Sequence, residues 1–434
     1  MKIALVSPRS AFLGRNSGFT DFLNQSPEME FYRQYWSGLG SGLLIIGALT
    51  PEDVGVELID ENIEEIDFNR DYDLIAITAM TQQATRAYEI ARGFREKKTK
   101  VVLGGIHASV LPDEARNYAD SVVVGEAEDL WPVLLDDFRH NRLSPVYTSP
   151  REVELKKSPM PRYELLAEKP YKIVWVQATR GCPHNCRFCC ASKVYGSHYR
   201  YKTVDQVIAE IEKIRRIKKH ALIGFADDNL LCDKSYSRCL LEKVADLHIR
   251  WVGQSDISIA DDISLLKLAK KSGCVALFIG FESIVEANLR GLDASDWKLK
   301  HLKDYVTSIR TIQDNGIGII GTFIAGFDND DKSVFDSLAN FIVDNRLAGA
   351  QIAALTPFPG TRVREALLKE GRVLNTPWAN YTFYDANIQP RKMSYQELEE
   401  GVLRTFKKVY SPGVAMEKGG YFRNIFLERS HKVE

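Results

Sequence analysis

The chain has almost no excess of either charge: 57 Lys and Arg stand against 58 Asp and Glu, for a formal net charge of −1. Proteins that grip phosphate backbones gather Lys and Arg on one face, so a nucleic-acid partner is not expected. Long apolar runs are missing too. The longest, such as Gly316 to Gly326, fall far short of the roughly 18 residues a membrane span needs, and no membrane span is expected. There is no internal repeat and no low-complexity stretch. Cysteine is scarce, seven in 434 residues, yet four of the seven crowd into Ala178–Cys190, ATRGCPHNCRFCC. The other three, Cys232, Cys239 and Cys274, are scattered through helix or strand contexts and read as core residues, so no second paired-ligand half accompanies the cluster. The opening MKIALVSPRS carries one lysine and a short apolar run with no cleavage site after it. It reads as a buried first strand, and a cytoplasmic chain is the expectation. Thiols stay reduced there, which favours metal binding or catalysis over disulfides.

Hydrophobic residues are 45% and charged residues 26%, an ordinary globular balance in a chain long enough for two or three domains. The first half alternates short Val/Ile/Leu runs with helical patterns. Strands are expected at Lys2–Ser7, Val54–Ile59, Leu74–Thr78, Val101–Gly104 and Ser121–Val124, with helices at Ala84–Lys97 and Asp113–Tyr118. Continuous apolar strands between helices mean a parallel sheet covered on both faces, and five of them fit a doubly wound, flavodoxin-like domain over residues 1–140. Residues 141–170, with Pro145, Pro150, Pro159, Pro161 and Pro170, read as a linker. A second series follows, with strands at Lys172–Gln177, Leu222–Ala226, Trp251–Ser255, Val275–Gly280, Ile317–Ala325 and Gln351–Thr356. Thr203 and Gln206 form a capping box ahead of a helix with Val204, Val207, Ile208, Ile211 and Ile214 at helical spacing. Six βα units predict a (β/α)6 partial TIM barrel over residues 171–365, with ligands at the carboxyl ends of its strands. Residues 366–434 read as a small, mostly helical region, with a helical pattern at Ser394–Tyr410 and an aromatic tail of Tyr421, Phe422 and Phe426. Residues Arg9 to Gly42 are long for a βα connection and rich in aromatics: Phe12, Phe19, Phe22, Phe31, Tyr32, Tyr35 and Trp36. The segment either lids a ligand or packs between domains.

Cys182, Cys186 and Cys189 stand at C-x3-C-x2-C in the loop after the first strand of the second series. Three thiolates on a short loop can grip three corners of an iron–sulfur cube and leave the fourth iron open. The alternative is a zinc loop completed by His184, His198 or Cys190. Cys190 directly follows Cys189, so its side chain should point elsewhere, as a packing residue. Gly280, Glu282 and Ser283, and before them Gln254, Ser255 and Asp256, end strands on the rim where ligands bind. Asp227, Asp228 and Asn229 end another strand, for which one rim role and one helix-capping role are expected.

ATRGCPHNCRFC at the mouth of a six-unit βα series resembles the radical S-adenosylmethionine (SAM) superfamily. GGIHASVLPDEA (104–115) and VVVGEAE (122–128) look like the cobalamin-binding domain that precedes the core in one large branch. FADDN (225–229), IGFES (279–283), GTFIAGFD (321–328) and TPFPGT (356–361) are similar to that same branch, including its hopanoid-methylase-like members. The resemblance implies a [4Fe-4S] cluster held by Cys182, Cys186 and Cys189, with SAM chelating the open iron. Reductive cleavage then yields a 5′-deoxyadenosyl radical. It also implies cobalamin as a methyl carrier, a small-molecule substrate methylated at an unactivated carbon, and an external one-electron reductant of flavodoxin or ferredoxin type. Cyclisation, ring rearrangement or oxidation without methyl transfer is the second reading, and a non-catalytic metal-cluster scaffold the third. The SAM contacts it implies are Phe188, Gln254, Asp256, Gly280, Glu282, Ser283, Gly326 and Thr356. Gly321 and Gly326 match the family's glycine-containing fifth strand, with Asp328 and Asp330 as loose counterparts of the acid after it. For cobalamin the implied contacts are Thr78, Thr81, Gly104, Gly105, His107, Gly125 and Glu126, gathered at one edge of the front sheet. The D-x-H-x-x-G pattern that brings a lower histidine to cobalt in many cobalamin proteins is replaced by Ser7-Pro8-Arg9-Ser10-Ala11-Phe12-Leu13-Gly14, so bound cobalamin should lack that ligand.

Overall fold

Two all-parallel, six-stranded sheets organise the computed structural model, which describes residues 1–10, 16–30, 35, 39–149 and 152–427, apart from the side chains of Glu28 and of residues 421–427. Phe12, Phe31, Tyr32 and Trp36, and the side chains of Tyr421, Phe422 and Phe426, lie outside the described residues.

The first sheet comprises β1 (Lys2–Ser7), β2 (Gly55–Asp60), β3 (Leu74–Thr78), β4 (Lys100–Gly104), β5 (Ser121–Val124) and β6 (Val146–Thr148), in the order β2-β1-β3-β4-β5-β6. The first five follow the doubly wound, flavodoxin-like order. Successive side chains of a strand point to opposite faces. In β1, Ile3 and Leu5 accordingly join Leu43 and Leu44 in one core, while Ala4 and Val6 join Ala87, Ile90 and Ala91 in another. Burial on both faces is why the strand reads as an unbroken apolar run. β6 corrects the linker reading. It pairs in parallel with β5 inside residues 141–170. Only three residues long and flanked by Pro145 and Pro150, it carries too little pattern to be seen in the sequence. Pro145 even contributes, its carbonyl accepting from the Val122 amide at 3.0 Å. The short helix expected at Asp113–Tyr118 is Pro112–Ala115, with proline at its first turn.

The second sheet starts at β7 (Ile173–Val176). A small antiparallel ladder, β8 (Thr179–Arg180) with β9 (Arg200–Tyr201), follows and encloses the cysteine loop between its strands. Then come β10 (Leu222–Phe225), β11 (Trp251–Ser255), β12 (Cys274–Glu282), β13 (Gly318–Ala325) and β14 (Gly349–Ala354). The order β14-β13-β12-β11-β10-β7 is sequential, as a six-unit part-barrel requires. The Thr203–Gln206 capping box forms, and starts the helix Val204–Ile217. Cys274 is buried, but Cys232 is only half-buried and Cys239 is exposed. The expectation of core packing fails for Cys239 because the helix Lys234–Ala245 turns Tyr236, Leu240, Leu241 and Val244 inward and leaves Cys239 outside.

The C-terminal helix Tyr395–Val409 lies on β14 and on the helix Val334–Asp344, so close that a Cβ at Gly401 would meet the Phe335 ring at 2.2 Å. The described part of Arg9–Gly42 packs between domains. Phe19 stacks on Tyr384 at 4.7 Å, and Tyr35 sits between Trp175 of β7 and Phe278 of β12, at 4.8 and 4.2 Å between ring centroids.

Candidate functional site

The carboxyl ends of the two sheets face each other. Ser7, Thr78 and Gly105 from the first and Trp175, Ala226 and Gln254 from the second line one cavity of about 360 Å³. A second cavity, about 290 Å³, opens beside it at the cysteine loop, and Gln254 and Phe383 form walls of both. A narrow slot of about 150 Å³ leads away from the first, beneath β3, β4 and β5.

Cys182, Cys186 and Cys189 all line the second cavity. Burial pushes the Cys182 thiol up to about 11 and Cys186 to about 12, and raises Cys189 further still. A bound metal reverses that cost, because it takes the thiolate. The loop is tied down around them. Gly181 has φ +92, and a Cβ there would meet the His198 carbonyl at 2.0 Å. Asp227, fully buried, accepts from the Thr179 hydroxyl at 2.6 Å and the Ala178 amide at 3.2 Å. Burial raises its carboxyl to about 7 and that of its neighbour Asp228, on the cavity wall, to about 6. So one of the pair anchors the loop and the other faces the cavity. The zinc ligands considered are otherwise engaged. His184 Nε2 bonds Asp256 at 3.0 Å, His198 is exposed beside Glu152, and Cys190 is the N-cap position of the helix Ala191–Tyr195. Among the described residues no three His, Cys, Asp or Glu side chains, the loop cysteines included, close around a single ion. Three thiols spread along a cavity with open space beside them fit the corners of a [4Fe-4S] cluster with a free fourth position.

Six of the eight expected SAM contacts line this cavity: Phe188, Gln254, Asp256, Gly280, Glu282 and Thr356. Asp256 also accepts from Asn229 at 2.7 Å. Burial alone would raise its carboxyl, but His184, Ser258 and Asn229 hold it well below the usual range. Glu282 stands at φ +62, where a bulge breaks the pairing of β12 with β13. Its carboxylate lies 3.1 Å from Lys298 Nζ, which donates to the Gly280 carbonyl at 2.6 Å. A Cβ at Gly280 would come within 2.3 Å of the Glu282 carboxylate, so a larger residue here would push that side chain from its place. Burial would lower the Lys298 pKa, and Glu282 raises it instead. Lys298 was invisible in the sequence. WKLKH looks like a solvated helix, and only the fold turns this one lysine inward, 4% exposed.

Two expected contacts are elsewhere. Ser283 is buried behind the rim, accepting from the Val285 amide and Asn288. Gly326, at φ +100, packs against Leu398 and gives its amide to Asp330 at 2.9 Å. Three consecutive residues of β13, Thr322, Phe323 and Ile324, line the cavity wall, and neither Gly321 nor Gly326 does. Asp330 thus shapes the turn, while Asp328 pairs with Arg372 and Arg391 at 2.8 and 3.0 Å. Phe358, inside the TPFPGT motif, also lines the cavity, and so does Phe383, which carried no sequence signal.

At the front sheet, Thr78 and Gly105 line both the larger cavity and the slot; Gly104, Gly125 and Glu126 line the slot. Gly105 has φ +87, and a Cβ would stand 2.6 Å from Thr78 Oγ1. Gly125, at φ +85, has nothing within 4 Å of where a Cβ would be. Its floor is open to a ligand. The slot walls are Ala76, Ile77, Val102 and Val123 with Leu43 and Ile46. An apolar slot below a glycine-lined edge fits cobalamin, a large planar ligand with a tail. Thr81 and His107 are buried and line neither space. His107 turns back into the domain, because Tyr88 at 3.1 Å and Glu114 at 3.4 Å hold its Nε2. Trp378 caps its ring edge-on at 5.2 Å.

Residues 176–342 match the model of the Radical SAM superfamily, and residues 42–135 that of the B12 binding domain. The chain is 30% identical to bacteriochlorophyllide d C-12(1)-methyltransferase of Chlorobaculum tepidum, over 87% of this chain and 83% of that one. It is 26% identical to the hopanoid C-2 methylase of Rhodopseudomonas palustris, over 77% and 65%. Among solved structures, the radical SAM methyltransferase TsrM of Kitasatospora setae, with cobalamin and a [4Fe-4S] cluster bound, superposes with a TM-score of 0.69 at 15% identity, over 95% of this chain and 89% of that one. The chain belongs to the radical SAM superfamily, in the branch whose core follows a cobalamin-binding domain. It is a cobalamin-dependent radical SAM methyltransferase, with a [4Fe-4S] cluster, SAM and cobalamin as cofactors, and its reaction draws on a small-molecule substrate and an external reductant. No helix among the described residues is long and apolar enough to cross a membrane.

Proposed function

We propose that the methyl acceptor is an unactivated carbon on a flat, largely apolar ring system, presented at the wall that Gln254 and Phe383 share between the two cavities. That shared wall is the observation that carries the reading: whatever lies there touches both cofactor chambers at once. Bound together, the cluster and SAM supply a radical that removes a hydrogen atom from substrate, and cobalamin supplies the methyl group.

The chain's own residues divide the remaining work. Cys182, Cys186 and Cys189 hold the cluster. Glu282, Lys298 and Asp256 offer fixed charge to the ammonium and carboxylate of SAM, and Phe188, Gln254 and Thr356 bound its other end. Thr78, Gly104, Gly105 and Gly125 leave space for the corrin and its tail. Tyr35, Trp175, Phe383 and Tyr384 give the chamber flat apolar walls, which exclude water and favour a flat partner. We assign the boundaries as a cobalamin domain that extends through β6, then the radical SAM core, then the helical C-terminal region. A flavodoxin- or ferredoxin-type protein would deliver the electron, in the cytoplasm, where the loop thiols stay reduced.

The test uses enzyme reconstituted without oxygen, SAM labelled in its methyl group, a chemical reductant and bacteriochlorophyllide d, the ring on which the named relative acts. Labelled methyl in the product is expected, with one 5′-deoxyadenosine and one S-adenosylhomocysteine formed per methyl. Hydrogen loss or ring closure without label would replace this reading with the cyclase or oxidase one.

A further inference from the structure

We propose that Glu126 is a positioning residue for the cysteine loop, its carboxylate holding both ends of that loop against the front sheet. The sequence places Glu126 among the cobalamin contacts, but its oxygens are taken. Arg180 Nη1 donates to Oε1 at 2.6 Å. Arg200 Nη1 donates to Oε2 at 2.8 Å, and so does the Val153 amide at 3.0 Å. Arg180 reaches a second carboxylate, with Nη2 2.6 Å from Glu128 Oε1. Arg180 and Arg200 are directly opposite each other in the β8–β9 ladder. They are therefore the two feet of the excursion 181–199, which holds all three cluster cysteines. One carboxylate from the end of β5 grips both feet.

Burial makes the grip specific. Glu126 is 9% and Arg180 5% exposed. Charged hydrogen bonds of this kind fix orientation as well as distance, and a guanidinium holds a carboxylate in one plane. Such lattices add little net stability against an apolar replacement, so their use is registry. What is registered here is the cysteine loop against the cobalamin domain. Glu126, Glu128 and Arg180 also line the apolar slot, so the grip adjoins the space beneath the front sheet.

The test reads amide hydrogen exchange in the full-length protein without cofactors, so its outcome does not depend on the substrate proposed above. Four proteins are compared: wild type, Glu126→Gln, Arg200→Gln and the double variant. Each single change should speed exchange across 181–199 by about tenfold or more, while β1 and β12 stay within about twofold. The double variant should fall clearly short of the product of the two singles, because the Glu126–Arg200 bond is lost in both, although Arg200 also donates to the Val153 and Tyr195 carbonyls and Glu126 also accepts from Arg180. Iron retained after anaerobic reconstitution should fall in the same order. Loop exchange within about twofold of wild type in both singles, or additive effects in the double, would overturn the proposal. If Glu126→Gln disturbs β1 or β12, Arg200→Gln and Arg200→Lys decide. Partial protection by Lys supports the grip, since an ammonium can replace the Nη1 contact to Glu126 but not also the Nη2 bond to the Tyr195 carbonyl, and wild-type protection in Arg200→Gln sinks it.

Discussion

The cavity at the cysteine loop and the slot under the front sheet, with the larger cavity between them, are lined differently. The cavity at the cysteine loop is ringed with charge: Glu282 and Lys298 buried, Asp228 and Asp256 half-buried. The slot under the front sheet is walled by Ala76, Ile77, Val102 and Val123, with glycines at its mouth, and the buried charges on its lining, Glu126, Glu128 and Arg180, are already tied to one another. Buried charge is expensive unless it meets a partner, so the first space suits a ligand with charged ends. Removed side chains create room, and with its charges already paired the second suits a bulky ligand that presents an apolar tail. One chain thus prepares two cofactor chambers by two routes, and each route fails in its own way.

The largest effect should come from the charged side. Cys186→Ala should abolish iron incorporation and 5′-deoxyadenosine formation, read by iron analysis and chromatography; activity that survived would unseat the cluster assignment. Lys298→Met should cost about 3–5 kcal/mol in a denaturant titration, because it strands Glu282 beneath the surface. Adding Glu282→Gln should recover most of that loss, whereas a double variant as weak as the single would mean that Lys298 matters for packing alone. On the apolar side, Gly105→Ala should cost about 1–3 kcal/mol at its positive φ and remove cobalamin absorbance from the reconstituted protein, while iron content holds. Loss of both together would erase the distinction between the chambers.

Two smaller effects concern the acids after β13. Asp330 has its folded pKa raised from 3.8 to about 6 by burial, so its contribution is present below 3.8 and lost as pH rises through about 6. Wild type should therefore lose stability against Asp330→Asn over that window, by up to about 1.4 kcal/mol per pH unit in thermal melts; a flat difference would show that the carboxyl is not buried as described. Asp328→Asn should change stability by less than about 1 kcal/mol, since Asp328 pairs with Arg372 and Arg391 near the surface. SAM affinity measured by equilibrium dialysis should not move, and a clear drop would return Asp328 to the cofactor site.

Much of the frame was legible. Strands buried on both faces advertise themselves as apolar runs, and β1, β3, β5 and β11 fall where their runs do. The C-x3-C-x2-C spacing carries its own chemistry, because three thiols so close on one loop have few other uses. β6 was hidden by brevity and by the prolines around it. The rim was half legible. Residues on the strand ends were found when their motif was local, as with Gly280 and Glu282, and lost when the wall was supplied from far away, as with Lys298 and Phe383. Gly326 and His107 were read by motif and stand apart, each turned away by a local partner, Asp330 for one and Tyr88 with Glu114 for the other.

By itself the sequence determined the order of the elements, the two parallel sheets and the three closely spaced thiols of the loop. These follow from local periodicity and spacing, which survive without knowledge of any distant contact. Only the tertiary structure decided which charges are buried together. Glu126 meets Arg180 and Arg200 across 54 and 74 residues, and Lys298 reaches back 18 residues to the Gly280 carbonyl. Pairing energy depends on distance and desolvation in space, and neither is written along the chain.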